Sequence, residues 1–333
     1  MIKALGVHTY FPGFEKGLRD SEGVDVLGSV ETWPMAVEAR KIIGYDKVRS
    51  DKADLVFSNP PCSRFSTQSS NAYDPDDCEE IELFCELESV FKEAIAREAS
   101  TVWWETGPLA WSKGEWLLHN AAEWFKRRGW PEVTTLMLRY EPRWHGEPQR
   151  RPRVHVIHSR NAPSIADVGE PSFPTRSVHE VLTERCGADG IGPIVRDDAL
   201  YLRKGIPLDA PASFTIREDA KTSKFMATRP RIVRAAGTWA YTHTARRMAW
   251  DVPDRFWGLH EYAALTSYPI RWIKVVSGAM GIQKTMTLMA KCVMPSASRW
   301  VLDRFVRDFC HAEPARATRF YRREISIPKE QNR

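Results

Sequence analysis

The chain has 333 residues, room for one large domain or a large and a small one, and 43% of them are hydrophobic, so a full core can be buried. No apolar run reaches membrane-spanning length and no basic segment followed by an apolar one opens the chain, so we expect a cytoplasmic protein without a membrane contact. The six cysteines (Cys62, Cys78, Cys85, Cys186, Cys292, Cys310) have no CxxC spacing and no His-rich partner motif, which argues against a disulfide framework or a zinc site and leaves free thiols for chemistry.

In chain order, short apolar strands are expected at Ile2–Val7, Val24–Val30, Asp54–Phe57, Thr101–Trp104, Thr135–Arg139 and Arg153–His158. Between the third and fourth, Glu79–Arg97 carries Phe84, Leu87, Val90, Phe91, Ala94 and Ile95 at helical spacing, which predicts an amphipathic helix with one buried face. Strands alternating with such helices predict an α/β fold with a mainly parallel sheet covered on both faces. From 161 to 255 the pattern breaks into Pro, Gly and charged residues, and we read this stretch as a smaller, loop-rich recognition domain inserted into a main domain formed by 1–160 and 256–310. A last helix is expected after Pro295 with Ser296 as its N-cap, carrying Trp300, Leu302, Phe305 and Phe309, and 311–333 reads as a loosely packed basic tail.

Charge is unevenly spread. Ala220 to Trp250 holds Lys221, Lys224, Arg229, Arg231, Arg234, Arg246 and Arg247 and no acid, so against a net +5 for the chain the other residues sum to −2. Phe225, Trp239, Tyr241 and Trp250 are interleaved with these cations. That mixture suits a polyanion whose phosphates need cations and whose bases offer stacking faces; a solvated basic loop is the bland alternative.

The most informative stretch is Asn59-Pro60-Pro61-Cys62-Ser63-Arg64-Phe65-Ser66, directly after the third strand. Two prolines with fixed φ stiffen the backbone that presents Cys62 at a strand end, where ligands of open α/β sheets bind. A cysteine by itself is more often a small apolar core residue. Glu105 stands at another strand end in Thr101-Val-Trp-Trp-Glu105-Thr-Gly107, where a capping or salt-bridged carboxylate is the simpler reading. Gly146-Glu-Pro148-Gln149-Arg-Arg151-Pro-Arg153 leads into the sixth strand, and Arg151 and Arg153, two apart, point to one side of an extended segment or form a surface ladder.

Together these segments resemble the DNA (cytosine-5) methyltransferases. Asn59 to Ser66 is similar to their Pro-Cys motif, and Glu105-Thr-Gly stands where they have Glu-Asn-Val. Gly146 to Arg153 matches Gly-x-Pro-Gln-x-Arg-x-Arg without a gap, Glu261 to Pro269 resembles the segment that reopens their large domain, and Ala290-Lys291-Cys-Val-Met-Pro295 falls where they have Gly-Asn-x-Val-x-Pro. The order and rough spacing hold across nearly the whole chain apart from the insert. The resemblance implies a Rossmann-like class I methyltransferase fold with a small target-recognition domain, acting as a monomer on double-stranded DNA, with RNA the less favoured polymer.

It also implies roles. Cys62 would add to C6 of a flipped cytosine, Glu105 would hold its N3 edge, and Arg151 and Arg153 would bind the base carbonyl and the catalytic loop or phosphate. Ser63, Arg64, Ser66, Arg229, Arg231, Arg234, Arg246 and Arg247 would contact nucleic acid, and the Thr67–Asp77 loop would close over the base. The donor, S-adenosylmethionine, would meet Tyr10, Phe11, Gly13, Glu31, Trp33, Asn59, Pro61 and Lys291, with Glu31 on its ribose and Trp33 stacked on adenine. No metal is implied.

The first turn departs from the family. It reads His8-Thr9-Tyr10-Phe11-Pro12-Gly13, with Tyr10 and Pro12 in place of two glycines and His8 in place of a Phe. Lys291 replaces a neutral Asn, and its ammonium would repel a sulfonium by roughly 1–4 kcal/mol at about 4 Å. A donor carrying a carboxylate on its transferable carbon, carboxy-S-adenosylmethionine, would reverse that sign, making the enzyme a cytosine-5 carboxymethyltransferase. Other readings are Lys291 turned outward, a catalytically inactive DNA-binding relative and, from its Asn-Pro-Pro signature, an amino-methyltransferase. The last has no use for Cys62 or for the Gln-x-Arg-x-Arg segment.

Overall fold

The computed structural model describes residues 1–60, 65, 82–142, 145–147, 149–163, 176, 181, 184–185 and 259–324, and the backbone of short strands between 214 and 250. Seven strands form one sheet in the order β13-β5-β7-β4-β3-β1-β2. They are β1 (Ile2–Val7), β2 (Val24–Val30), β3 (Leu55–Ser58), β4 (Thr101–Thr106), β5 (Thr134–Tyr140), β7 (Arg153–Ser159) and β13 (Arg319–Glu324). All neighbours pair in parallel except β7, which runs antiparallel to both β4 and β5. The central strands are buried along their length, as a sheet covered by helices on both faces requires.

Successive side chains of a strand point to opposite faces, so Trp103 and Trp104 anchor two separate layers. Trp104 faces α3 (Glu82–Ala96) and α5 (Glu115–Lys126), where Leu87, Val90, Phe91, Leu117, Leu118 and Phe125 pack on Val56, Val102, Val154 and Val156. Trp103 faces α1 (Gly13–Arg19), whose Phe14 ring meets it edge-on at 4.5 Å. Tyr140 and Trp300 continue this layer at 5.2 Å, with Trp300 on the helix Pro295–Val301. That helix lies so close to α1 that a Cβ on Gly17 would sit 2.0 Å from Ser298 Oγ and 2.2 Å from the Pro295 carbonyl. Trp103 and Trp104 are fully buried, and truncating either to Ala would cost about 3–5 kcal/mol.

The expected α/β fold with a mainly parallel sheet is present, and the six expected strands form within two residues of their predicted ends. The helix expected at Glu79–Arg97 is described from Glu82 to Ala96. Two local expectations change. The last helix begins with Pro295 at its first position after an extended Met294, so Ser296 is not its cap; proline's fixed φ suits the first helical turn. Part of the supposed basic tail, Arg319–Glu324, is β13, which pairs with β5 at the sheet's edge. An edge strand exposed on most of its length carries no apolar alternation, which is why its sequence looks like a tail.

The chain divides into two compact units. The first comprises Met1–Glu141, Pro152–Ser172 and Cys292–Arg333 and holds the sheet. The second comprises Pro142–Arg151 and Phe173–Lys291. It contains β6 (Gln149–Arg150), paired with β11 (Ala240–Tyr241), a β8–β9 hairpin (Phe214–Glu218, Phe225–Pro230), and β10 (Val233–Arg234) paired with β12 (Ala249–Trp250). The helices Leu259–Leu265, Ile270–Met280 and Ile282–Lys291 belong to it as well. Among the described residues no helix is long and apolar enough to cross a membrane.

Two histidines of β7 lie inside the sheet layers. Trp103 Nε1 donates to His155 Nδ1 at 3.2 Å, and His158 Nδ1 meets Thr135 Oγ1 at 2.9 Å. Burial pushes both rings down to about 3, and the Arg153 charge adds to the effect at His155. In the unfolded chain both titrate near 6.5. The folded values are depressed, so this stability is complete above about pH 6.5 and drains away as pH falls towards 3. At pH 5 linkage removes about 2 kcal/mol per histidine. Urea midpoints should therefore drop between pH 7.5 and 5 while the NMR signals of both rings keep neutral shifts; flat midpoints, or rings that titrate near 6, would contradict this.

Candidate active site

Register lines up one edge of the sheet. Val30 of β2 and Ser58 of β3 both pair with Val7 of β1, and Ser58 pairs with Trp104 of β4. The residues that follow, Glu31, His8, Asn59 and Glu105, therefore stand in a row at the carboxyl ends of four adjacent parallel strands. This is the edge where open α/β sheets bind ligands. Because β7 is antiparallel, its first residue, Arg153, arrives at the same edge.

Glu105 is 2% exposed and pairs across the ladder with His155. Arg153, two residues earlier on β7, reaches back along the diagonal, and its Nε lies 2.8 Å from Glu105 Oε1. The N–H direction misses hydrogen-bond geometry, so the contact is an ion pair rather than a charge-assisted hydrogen bond. Arg153 Nη1 also donates to the Pro152 carbonyl at 2.8 Å. This contact holds a buried carboxylate at the strand end.

Asn59 is 2% exposed, with its N–H directed at the His8 carbonyl 3.3 Å away. Pro60 follows it. Pro61, Cys62, Ser63, Arg64 and Ser66 and the Thr67–Asp77 loop lie outside the described residues. Phe65 is fully buried, and its carbonyl accepts the Leu109 N–H at 3.0 Å. The described residues nearest Cys62 in sequence are Pro60, at the end of β3, and Phe65, beside the turn that follows β4.

The first turn, between β1 and α1, accounts for its backbone polar groups one by one. His8 N–H donates to Val30 O at 2.9 Å, Tyr10 N–H to Glu31 Oε2 at 2.6 Å and Phe11 N–H to Cys292 Sγ at 3.0 Å. Glu31 Oε1 accepts from Thr32 and Trp33 N–H, both at 2.9 Å, just ahead of α2 (Pro34–Ile42). Tyr10 and Trp33 meet edge to face at 5.3 Å. His8 Nε2 is 2.9 Å from Ser89 Oγ of α3; burial lowers its pKa, while the Glu31 charge acts to raise it.

His8 and Tyr10 have φ of 52° and 57°, the left-handed region, which costs a non-glycine residue roughly 1–2 kcal/mol. A buried network lies beneath them. Arg40 Nη1 donates to the Tyr10 carbonyl and to Thr9 Oγ1, each at 3.1 Å, and Arg40 Nη2 pairs with Glu15 at 2.5 Å. The Thr9 hydroxyl donates to Glu15 at 2.8 Å and lies 2.9 Å from Ser29 Oγ. Arg40 is 2% and Glu15 0% exposed. Sequence reasoning passed over this pair, although the signal was there: both charges fall on the buried stripes of amphipathic helices.

The remaining expected residues lie elsewhere. Phe11 and Gly13 are buried in the first unit, Phe11 completely. In the second unit Arg151 is 2% exposed and donates from Nη2 to the Ala290 carbonyl at 3.0 Å. Arg151 and Arg153, read from spacing as pointing to one side of an extended segment or forming a surface ladder, fall in different units. Lys291 is exposed at the end of the helix Ile282–Lys291. Arg229 and Arg234 fall on β9 and β10, described by their backbone alone; Arg231, Arg246 and Arg247 lie outside the described residues.

No protein-family model and no curated protein sequence matches the chain. Solved structures do. A protein described as a DNA modification methyltransferase encoded within an Escherichia coli prophage superposes with a TM-score of 0.60 at 13% identity, over 92% of this chain and 99% of that one. The Entamoeba histolytica methyltransferase EhMeth gives 0.58 at 10%, over 92% and 98%, and the S. pombe Dnmt2 methyltransferase 0.56 at 11%, over 92% and 99%. The chain has a class I methyltransferase fold. Identities this low carry the fold alone. Within it, the strand ends bearing Glu31, His8, Asn59 and Glu105 are the ends at which such sheets take ligands.

The Glu105–Arg153 pair has a measurable consequence. Arg153→Met removes this cation from a buried carboxylate and should destabilise the protein in urea unfolding, and adding Glu105→Gln should cost less than its single effect, with a coupling of roughly 0.5–3 kcal/mol. Purely additive costs would show that the two side chains are not coupled.

Proposed function

We propose that this protein is a DNA cytosine-5 transferase that works through a covalent bond between Cys62 and C6 of a flipped cytosine. The observation that carries the reading is the buried Glu105–Arg153 pair at the carboxyl end of β4, one strand from β3, whose continuation runs Asn59-Pro60-Pro61-Cys62. The description of the Escherichia coli neighbour as a DNA modification methyltransferase supports DNA as the polymer.

Cytosine C5 is a poor nucleophile, so electrons must be pushed into the ring. The Cys62 thiolate adds to C6 and makes C5 enamine-like. A thiol of pKa about 8.5 is mostly protonated at neutral pH, so a cation such as Arg64, two residues on in the sequence, would favour the reactive form. Glu105 holds the N3 edge and promotes its protonation, which draws charge from the developing carbanion. Arg153 keeps Glu105 in place, and Arg151 serves the base carbonyl. C5 would take up the one-carbon group as its bond to the donor sulfur breaks and a neutral thioether leaves; C5 then gives its proton to a base such as water, and elimination of Cys62 restores the aromatic ring and the free thiol. Flipping the base out of the stack costs roughly a few kcal/mol, met by phosphate contacts from the basic stretch that includes Arg229, Arg231, Arg234, Arg246 and Arg247.

The residues at the end of β2 fit an S-adenosyl group, which when bound supplies an electrophilic carbon on a sulfonium. Glu31 has used three of its roughly four acceptor directions on backbone amides, leaving one for a ribose hydroxyl. Tyr10 and Trp33 offer an aromatic corner to adenine. A second reading keeps the enzyme and changes the donor to carboxy-S-adenosylmethionine. It is favoured by Lys291, an exposed cation directly before Cys292, whose sulfur accepts the Phe11 N–H of the first turn.

Mass spectrometry of nucleosides from duplex DNA incubated with either donor tests both readings. The first predicts 5-methylcytosine from S-adenosylmethionine. The second predicts 5-carboxymethylcytosine, with Lys291→Asn shifting preference at least about tenfold towards the methyl donor, the scale of one ion pair. Modified adenine, or unmodified cytosine with both donors, would overturn the proposal.

A further inference from the structure

We infer that Glu31 and Arg40 are positioning residues that clamp the Tyr10 peptide from its two ends and so take the place of a glycine in the donor turn. The inference rests on the donor reading given above and extends it to Arg40, a buried residue that acts through the Tyr10 backbone and not on the donor. Tyr10 has φ 57°, a conformation that a glycine adopts freely and a tyrosine does not. Its N–H is taken by Glu31 Oε2 at 2.6 Å and its C=O by Arg40 Nη1 at 3.1 Å, so the peptide groups on both sides of its Cα are held, and turning this residue out of the left-handed region breaks two charge-assisted hydrogen bonds.

Each half of the clamp is itself held. Thr32 and Trp33 N–H fix the Glu31 carboxylate, and Glu15 and Thr9 fix the Arg40 guanidinium. The turn is therefore set before a donor arrives, and the Tyr10 ring is directed against Trp33 rather than left to swing. A glycine turn lets the backbone approach a ligand by having no side chain. Here a side-chain-bearing turn is held in the same backbone region by ionised groups beneath it, and the Tyr10 ring becomes part of the pocket wall.

The test is a double-mutant cycle between Arg40→Lys, which keeps a cation for Glu15 but loses the planar reach to Tyr10, and Tyr10→Gly, which needs no clamp. Two readouts are taken: affinity for S-adenosylhomocysteine by calorimetry, and the thermal midpoint without ligand. Arg40→Lys alone should weaken S-adenosylhomocysteine at least about tenfold and lower the midpoint by roughly 3 °C or more; in the Tyr10→Gly background both effects should shrink to about a third or less. A mere packing role for Arg40 predicts equal losses in both backgrounds, and that result would overturn the inference, as would an Arg40→Lys protein indistinguishable from wild type. If wild type fails to bind S-adenosylhomocysteine, the donor reading falls, and the ligand-free midpoints still decide the clamp. Should Arg40→Lys be insoluble, Glu31→Gln takes its place in the thermal cycle with the same two outcomes.

Discussion

One reversed strand governs the site. If β7 ran parallel like its neighbours, its first residue would lie at the amino edge of the sheet, far from Glu105. Running antiparallel between β4 and β5, it delivers Arg153 to the carboxyl edge, where a buried glutamate needs a cation. The ladder fixes this geometry: Glu105 faces His155, so Arg153 lies on the reachable diagonal and nothing longer than one arginine is required. The same strand presents His155 and His158 to the two aromatic layers, where burial holds both rings neutral. Stability and site geometry thus share one element, and disturbing it would be felt in both.

A second constraint acts at the other end of the row. The turn after β1 must pass close to any ligand seated there, which glycines ordinarily make possible. This chain uses Tyr10, held on one side by the half-buried Glu31 carboxylate and on the other by the buried, paired Arg40 and Glu15. Buried ion pairs seldom add much net stability, because desolvation offsets the attraction. What the arrangement supplies is a single backbone geometry. Both ends of the row, Glu105 with Arg153 and Glu31 with Tyr10, are fixed by carboxylates whose partners leave them little freedom.

Much of the architecture was legible because β1 to β5 and β7 are short apolar runs, the mark of strands buried on both faces. Leu87, Val90, Phe91 and Ala94 at helical spacing marked α3 in the same way. β13 was not legible: Arg-Phe-Tyr-Arg-Arg-Glu has neither alternation nor an apolar run, since an exposed edge strand needs neither. Within the site, Glu105 and Arg153 were recognisable as motif residues, but their contact depends on strand order and direction, which no local pattern encodes. The spacing of Arg151 and Arg153 gave no sign that the chain passes from one unit to the other between them. Arg40 and Glu15 escaped notice because each is an ordinary helical residue until the fold brings them together. Cys62, the best motif in the sequence, lies outside the described residues, so its part in the account is carried by its neighbours in the chain.

The most direct measurement is a covalent trap. Duplex DNA containing 5-fluorocytosine blocks the final loss of the C5 substituent, so with donor present an enzyme that bonds to C6 remains attached. Peptide mapping of that complex should place the nucleotide on the peptide carrying Cys62, with no complex from Cys62→Ser. An adduct on another cysteine, or modified product without any trapped complex, would contradict the account.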